Sequence, residues 1–98
     1  MKRIYFDIAA TTPIDMDVAK LMHRISLKTY GNPSSIHKHG QEARAIIERT
    51  RLQVSRALGC DVSEIIFTGS GTESNNTALQ GILNAGDHFI CSGYEHPA

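Results

Sequence analysis

The sequence predicts an α/β chain of three helices and one βαβ unit, incomplete as a domain. Two observations carry that reading. Apolar residues recur at helical spacing in two stretches of the first 60 positions, 18–25 and 43–58. After them, two short β-branched and aromatic runs, 64–68 and 88–92, flank a third helical pattern. Strand, helix and strand at this spacing read as a βαβ unit whose two strands are expected to be parallel.

The elements follow in order. Arg3 to Phe6 reads as short and extended, and leads into the small-residue run Ala9-Ala10-Thr11-Thr12-Pro13. Pro13 disfavours helix at Thr12. Asp15 is the expected N-cap of the first helix, with Asp17 in the turn where the helix dipole favours negative charge. Val18, Leu21, Met22 and Ile25 form its apolar stripe, and Tyr30-Gly31-Asn32-Pro33 is expected to stop it.

In the second helix, Ala43, Ile46, Ile47, Thr50, Val54, Ala57 and Leu58 share a stripe. Glu48 stands at pairing distance from Arg44 and Arg51. Gly59 is the expected C-terminal stop, while Gly40 blurs the start. The strand 64–68 follows, then the turn Gly69-Ser70-Gly71-Thr72-Glu73-Ser74. The third helix carries Ala78, Leu79, Ile82 and Leu83, and Asn84-Ala85-Gly86-Asp87 closes it before strand 88–92.

Composition narrows the function. Of 98 residues, 41% are hydrophobic and 20% charged, the profile of a globular protein. Ten Lys and Arg balance ten Asp and Glu, so no basic excess points to nucleic acid. Lys38 to Arg56 is mildly basic and reads as a solvated helix face. Asp7 interrupts any signal-peptide pattern after the first two basic residues, and no apolar run approaches the ~20 residues that cross a membrane. A cytoplasmic chain without membrane partners is expected. Cys60 and Cys91 have no metal or redox spacing and read as reduced thiols. His37 and His39 flank Lys38 without a third ligand nearby, so no metal site is expected. Two parallel strands do not complete a sheet that needs both faces covered. The chain, stopping directly after a strand, is therefore expected to be part of a longer one.

The turn at 69–74 holds the chemistry. Its glycines allow positive φ and close approach of a ligand. Ser70 and Glu73 have capping-box spacing, which would start the third helix there. A helix opening at the end of a strand aims free N–H groups at one point, a ready phosphate site. The nucleotide P-loop fails for want of a Lys, and the dinucleotide fingerprint fails because Ser74 stands where its third glycine belongs. Two readings stay open on these grounds: a phosphate site, or a turn that merely requires glycine.

Four segments in sequence order resemble one family. Phe67 to Asn76, FTGSGTESNN, is similar to the phosphate loop of class-V aminotransferase-type enzymes, cysteine desulfurases in particular. Tyr5 to Pro13 resembles that family's opening, Gly31 to Gly40 the segment after its first helix, and Glu95-His96-Pro97-Ala98 its EHPA motif. The resemblance implies the start of a fold-type-I, aspartate-aminotransferase-like transferase. Residues 1–60 would be its N-terminal segment and helices, and 61–98 the start of its large cofactor-binding domain. It implies pyridoxal 5'-phosphate as cofactor, with the phosphate on Gly71 and Thr72 and the pyridine ring against His96. Ser70, Glu73, Ser74, Asn75 and Asn76 would build and cap the loop. The other reading of His96 is a solvent-exposed terminal histidine.

Ile8 stands where the family often has a polar residue, and Thr50 where it has alanine. The resemblance further implies a homodimer that converts L-cysteine to L-alanine. Sulfur would pass through a cysteine persulfide to an acceptor protein for iron–sulfur cluster or thio-cofactor synthesis. The lysine that tethers the cofactor and the sulfur-carrying cysteine match no residue here, so no catalytic residue is assigned, and the isolated chain is expected to be inactive and to bind the cofactor weakly and without a covalent link, or not at all. The alternatives are a selenocysteine lyase, an aminotransferase of the same class, or a non-catalytic remnant that binds a partner.

Overall fold

The computed structural model describes residues 3–97; Ala98, the last residue of the EHPA motif, lies outside the described residues. Three α-helices follow one another: α1 (Met16–Lys28), α2 (Lys38–Leu58) and α3 (Gly71–Ile82). A 3-10 turn, Val62–Glu64, stands between α2 and α3.

Each helix is closed by its own sequence. Asp15 caps α1 as expected, its Oδ1 accepting from the N–H groups of Asp17 at 2.9 Å and Val18 at 3.3 Å. Lys28 sits in its last turn, where the dipole favours a cation. His37 caps α2: its Nδ1 accepts from the Gly40 N–H at 3.3 Å. His39 stacks on Tyr30, with ring centroids 5.9 Å apart. His37 and His39 thus have structural partners at the start of α2. Gly59 ends α2 at φ 71°, in the left-handed region that favours glycine.

Gly40 does not blur the start of α2; it makes that start possible. The loop from Gly31 folds back on the first turn of the helix, so that Gly40 is buried against the carbonyls of Asn32 and Ser35. Gly31 approaches the His39 carbonyl in the same way. An Asx turn holds the loop, with the Ser34 N–H donating to Asn32 Oδ1 at 2.9 Å.

The expected βαβ unit is not formed. Among the described residues there is no strand. Glu64, expected in the first strand, instead closes the 3-10 turn. Its carboxylate accepts from the Asp61 N–H at 2.7 Å, while Asp61 Oδ1 accepts from the Ser63 N–H at 2.8 Å. Both 64–68 and 88–92 lie beside α3 on separate hollows, with Ile66 71% and Ile90 80% exposed. A β-branched run becomes a strand only when a neighbour supplies its hydrogen-bond ladder, and an isolated pair of strands is marginal. The apolar pattern is there without the ladder.

The chain builds little core. Ala43 is the only buried hydrophobic residue among those described. The expected stripe of α2 is half-buried at Ile46, Ile47 and Val54 and exposed at Thr50, Ala57 and Leu58. The surface is 9111 Å², against roughly 5,500 Å² for a compact monomer of this size. The radius of gyration is 18.4 Å, against about 13 Å for a compact chain of 100 residues. Among the described residues no helix is long and apolar enough to cross a membrane.

Candidate phosphate site

The site is built around the start of α3. Ser70 is its N-cap, with Oγ accepting from the Glu73 N–H at 3.1 Å. The Glu73 carboxylate turns back and accepts from the Gly69 N–H at 2.6 Å. This is a capping box shifted by one residue, since the acid reaches the residue before the cap instead of the cap itself. Thr68 Oγ1 and Ser74 Oγ share a hydrogen bond of 2.5 Å, and Ser74 Oγ also donates to the Ser70 carbonyl at 3.1 Å. Four side chains therefore fix the turn from within.

What the network leaves open is informative. The N–H groups of Gly71 and Thr72, and the Thr72 hydroxyl, have no hydrogen-bond partner among the described residues. All three belong to the first turn of α3, where unsatisfied donors suit an anion. Neither Gly69 nor Gly71 has positive φ, so conformational freedom is not why glycine stands at these two positions. A Cβ added to Gly71 would meet nothing within 4 Å, which leaves room for a ligand to approach the backbone.

His96 is exposed and lies further along the helix. It lines an open hollow of about 610 Å³ with Asn75, Ala78 and Leu79 of α3 and Phe89 to Ser92 of the following segment. The structure thus brings His96 to the same helix as Gly71 and Thr72, beginning one turn beyond them at Asn75. The exposed Asn76 side chain folds back along the helix, donating from Nδ2 to the Thr72 carbonyl at 2.8 Å.

Charge is distributed unevenly around this site. All ten Lys and Arg lie at or before Arg56. From Ala57 onward there are Asp61, Glu64, Glu73, Asp87 and Glu95 and no Lys or Arg. An anion at the turn would be held by neutral donors, with the Glu73 carboxylate close by. One cation reaches the segment from outside. The Arg51 guanidinium, on α2, donates to the Ile65 carbonyl and lies 4.9 Å from the centre of the Phe67 ring. Spacing places Arg51 on a helix face but carries no trace of a contact 14 residues away. The Asp61 and Glu64 box, by contrast, was legible as an acidic residue followed at the third position by Glu.

The aminotransferase class-V family matches residues 4–98. Cysteine desulfurase IscS of Dictyoglomus turgidum is 47% identical over 103 residues, covering 100% of this chain and 26% of its own length. The NifS/IcsS protein homolog of Lactobacillus delbrueckii subsp. bulgaricus is 44% identical, covering 95% of this chain and 25% of its own length. Putative cysteine desulfurase IscS 1 of Bacillus subtilis is 42% identical, covering 100% of this chain and 27% of its own length. The chain spans about a quarter of the length of these relatives. No solved structure matches it.

Proposed function

The chain belongs to the aminotransferase class-V family, and from that premise we propose that it is the phosphate-binding opening of a pyridoxal-phosphate-dependent cysteine desulfurase. Residues 1–60 form the opening segment and first helices, and 61–98 begin the large cofactor-binding domain. The observation that carries the reading is the pair of unpartnered N–H groups at Gly71 and Thr72, inside the segment that resembles the family's phosphate loop.

The residues fit the group they would hold. Gly71 and Thr72 donate backbone N–H groups, and Thr72 its hydroxyl, to the cofactor phosphate. The dipole of α3 adds about 0.3–1 kcal/mol at such a surface site. Ser70 and Glu73 keep the turn in shape by satisfying the Glu73 and Gly69 N–H groups. His96 offers a flat face to the pyridine ring. When bound, the cofactor supplies an electron sink for bond breaking at an amino acid.

The intact protein would convert L-cysteine to L-alanine as a cytoplasmic homodimer and pass sulfur, through a persulfide on a cysteine outside this chain, to an acceptor protein. That sulfur would serve iron–sulfur cluster or thio-cofactor synthesis. The names of the relatives favour desulfurase over selenocysteine lyase or aminotransferase. A second reading, a non-catalytic partner-binding module, is supported by the apolar side chains left uncovered.

The test is an amide-resolved NMR titration of the chain with pyridoxal phosphate and, separately, with inorganic phosphate. Shifts concentrated at Gly71 and Thr72 with both ligands are expected, and shifts at His96 with pyridoxal phosphate alone. Saturable shifts elsewhere, with none at the start of α3, would overturn the assignment.

A further inference from the structure

We infer that Arg51 is the positioning residue of the phosphate turn, fastening the segment that leads into it to α2. The inference rests on the reading of Gly71 and Thr72 as phosphate donors. Among the described residues, the bond from Arg51 to the Ile65 carbonyl is the only hydrogen bond joining the chain before Gly59 to the chain after Glu64. The same guanidinium packs 4.9 Å from the centre of the Phe67 ring. Its Nε lies 3.5 Å from the Glu48 carboxylate, which orients it from the preceding turn of α2. The side chain is 23% exposed, so water competes weakly for these contacts.

One planar group therefore holds three things at once: its own helix, a backbone carbonyl and a ring. Ile65 and Phe67 stand directly before the turn, and Phe67 is four residues from Gly71. Fixing them fixes the direction in which the chain enters Gly69 and the axis along which α3 leaves. Lysine could supply the charge but not the fork, nor the flat stacking surface. Arg51 acts through Phe67 and touches neither phosphate donor.

Residual dipolar couplings on the 98-residue chain and its Arg51→Met variant test this, with far-UV circular dichroism as the check that helices persist. Wild type is expected to show α2 and α3 sharing one alignment, and Arg51→Met to show them decoupled at unchanged helix content. Phosphate affinity read at the Gly71 and Thr72 amides should fall about tenfold, the scale of a lost charged hydrogen bond. Arg51→Lys separates positioning from mere charge, because it should restore neither the alignment nor the affinity. Phe67→Leu should loosen the alignment in part while leaving the carbonyl contact. A shared alignment that survives Arg51→Met, or full rescue by lysine, would overturn the inference. A wild-type chain whose Gly71 and Thr72 amides ignore phosphate would instead remove the phosphate reading, and the alignment data would still judge Arg51.

Discussion

Gly40 and Asn32 meet backbone to backbone: a Cβ on Gly40 would lie 2.6 Å from the Asn32 carbonyl oxygen, and closer still to that of Ser35. Gly40→Ala is therefore expected to push the 31–35 loop off the first turn of α2. The expected cost is about 1–3 kcal/mol, the range for overpacking a close contact. Amide exchange at Ser35, Gly40 and Gln41 would report it. Unchanged protection there would show that the loop yields without cost.

Ser70 and Glu73 separate the stability of α3 from the anion affinity proposed for its first turn. Ser70→Ala removes the cap acceptor and should cost about 1 kcal/mol, seen as faster exchange in the first turn of α3. Glu73→Gln keeps an acceptor for the Gly69 N–H but removes the negative charge. It should tighten inorganic phosphate by about threefold at low salt, an advantage that fades as salt screens it. Phosphate titrations at two ionic strengths check the sign.

Asp61 links the 3-10 turn to pH. Hydrogen bonds from the Ser63 hydroxyl, and then from the Ser63 N–H, hold its carboxyl below the usual carboxylate range. A lowered folded pKa contributes stability that is present above the unfolded value and lost as pH falls through the folded one. The turn should therefore keep its order at neutral pH and lose it in acid. Ser63→Ala should raise the Asp61 pKa toward the ordinary range, which carboxyl-detected NMR titration measures directly.

Unfolding of the chain should be shallow. Small compact proteins lose about 1–3 kcal/mol per molar urea, in proportion to the surface they expose. With Ala43 as the one buried hydrophobic residue among those described, the slope here should fall below that range. A steep, cooperative urea transition by circular dichroism would show that the apolar faces are covered in solution.

Much of the local architecture was legible before any coordinates. Asp15, Ser70 and Gly59 mark helix ends by chemistry that acts within four residues, so sequence spacing suffices to find them. The turn at 69–74 and its cap are marked by the same local logic, while the phosphate reading of that turn comes from the resemblance to one family. The strands failed because Ile65, Ile66, Phe89 and Ile90 carry strand propensity, whereas a strand also needs a neighbour that sequence cannot supply. Gly40 leaves the start of α2 open in the sequence because what it permits is a close approach of the backbone across from it. Arg51 was legible as a surface charge paired with Glu48, while its contacts at Ile65 and Phe67 depend on how the chain doubles back after Gly59.

The hydrogen bonds of the turn at 69–74 all close within six residues, and the contact from Arg51 to Ile65 spans 14. That difference sets an order of assembly. Helices and their caps form on the ~0.1–1 μs scale from contacts within a few residues. The capped turn at 69–74 should therefore exist as a fast-forming local unit before its orientation is set. The Arg51 contact joins α2 to the segment before the turn and needs both in place, so substitutions at Arg51 should leave the early helical phase of refolding at its wild-type rate.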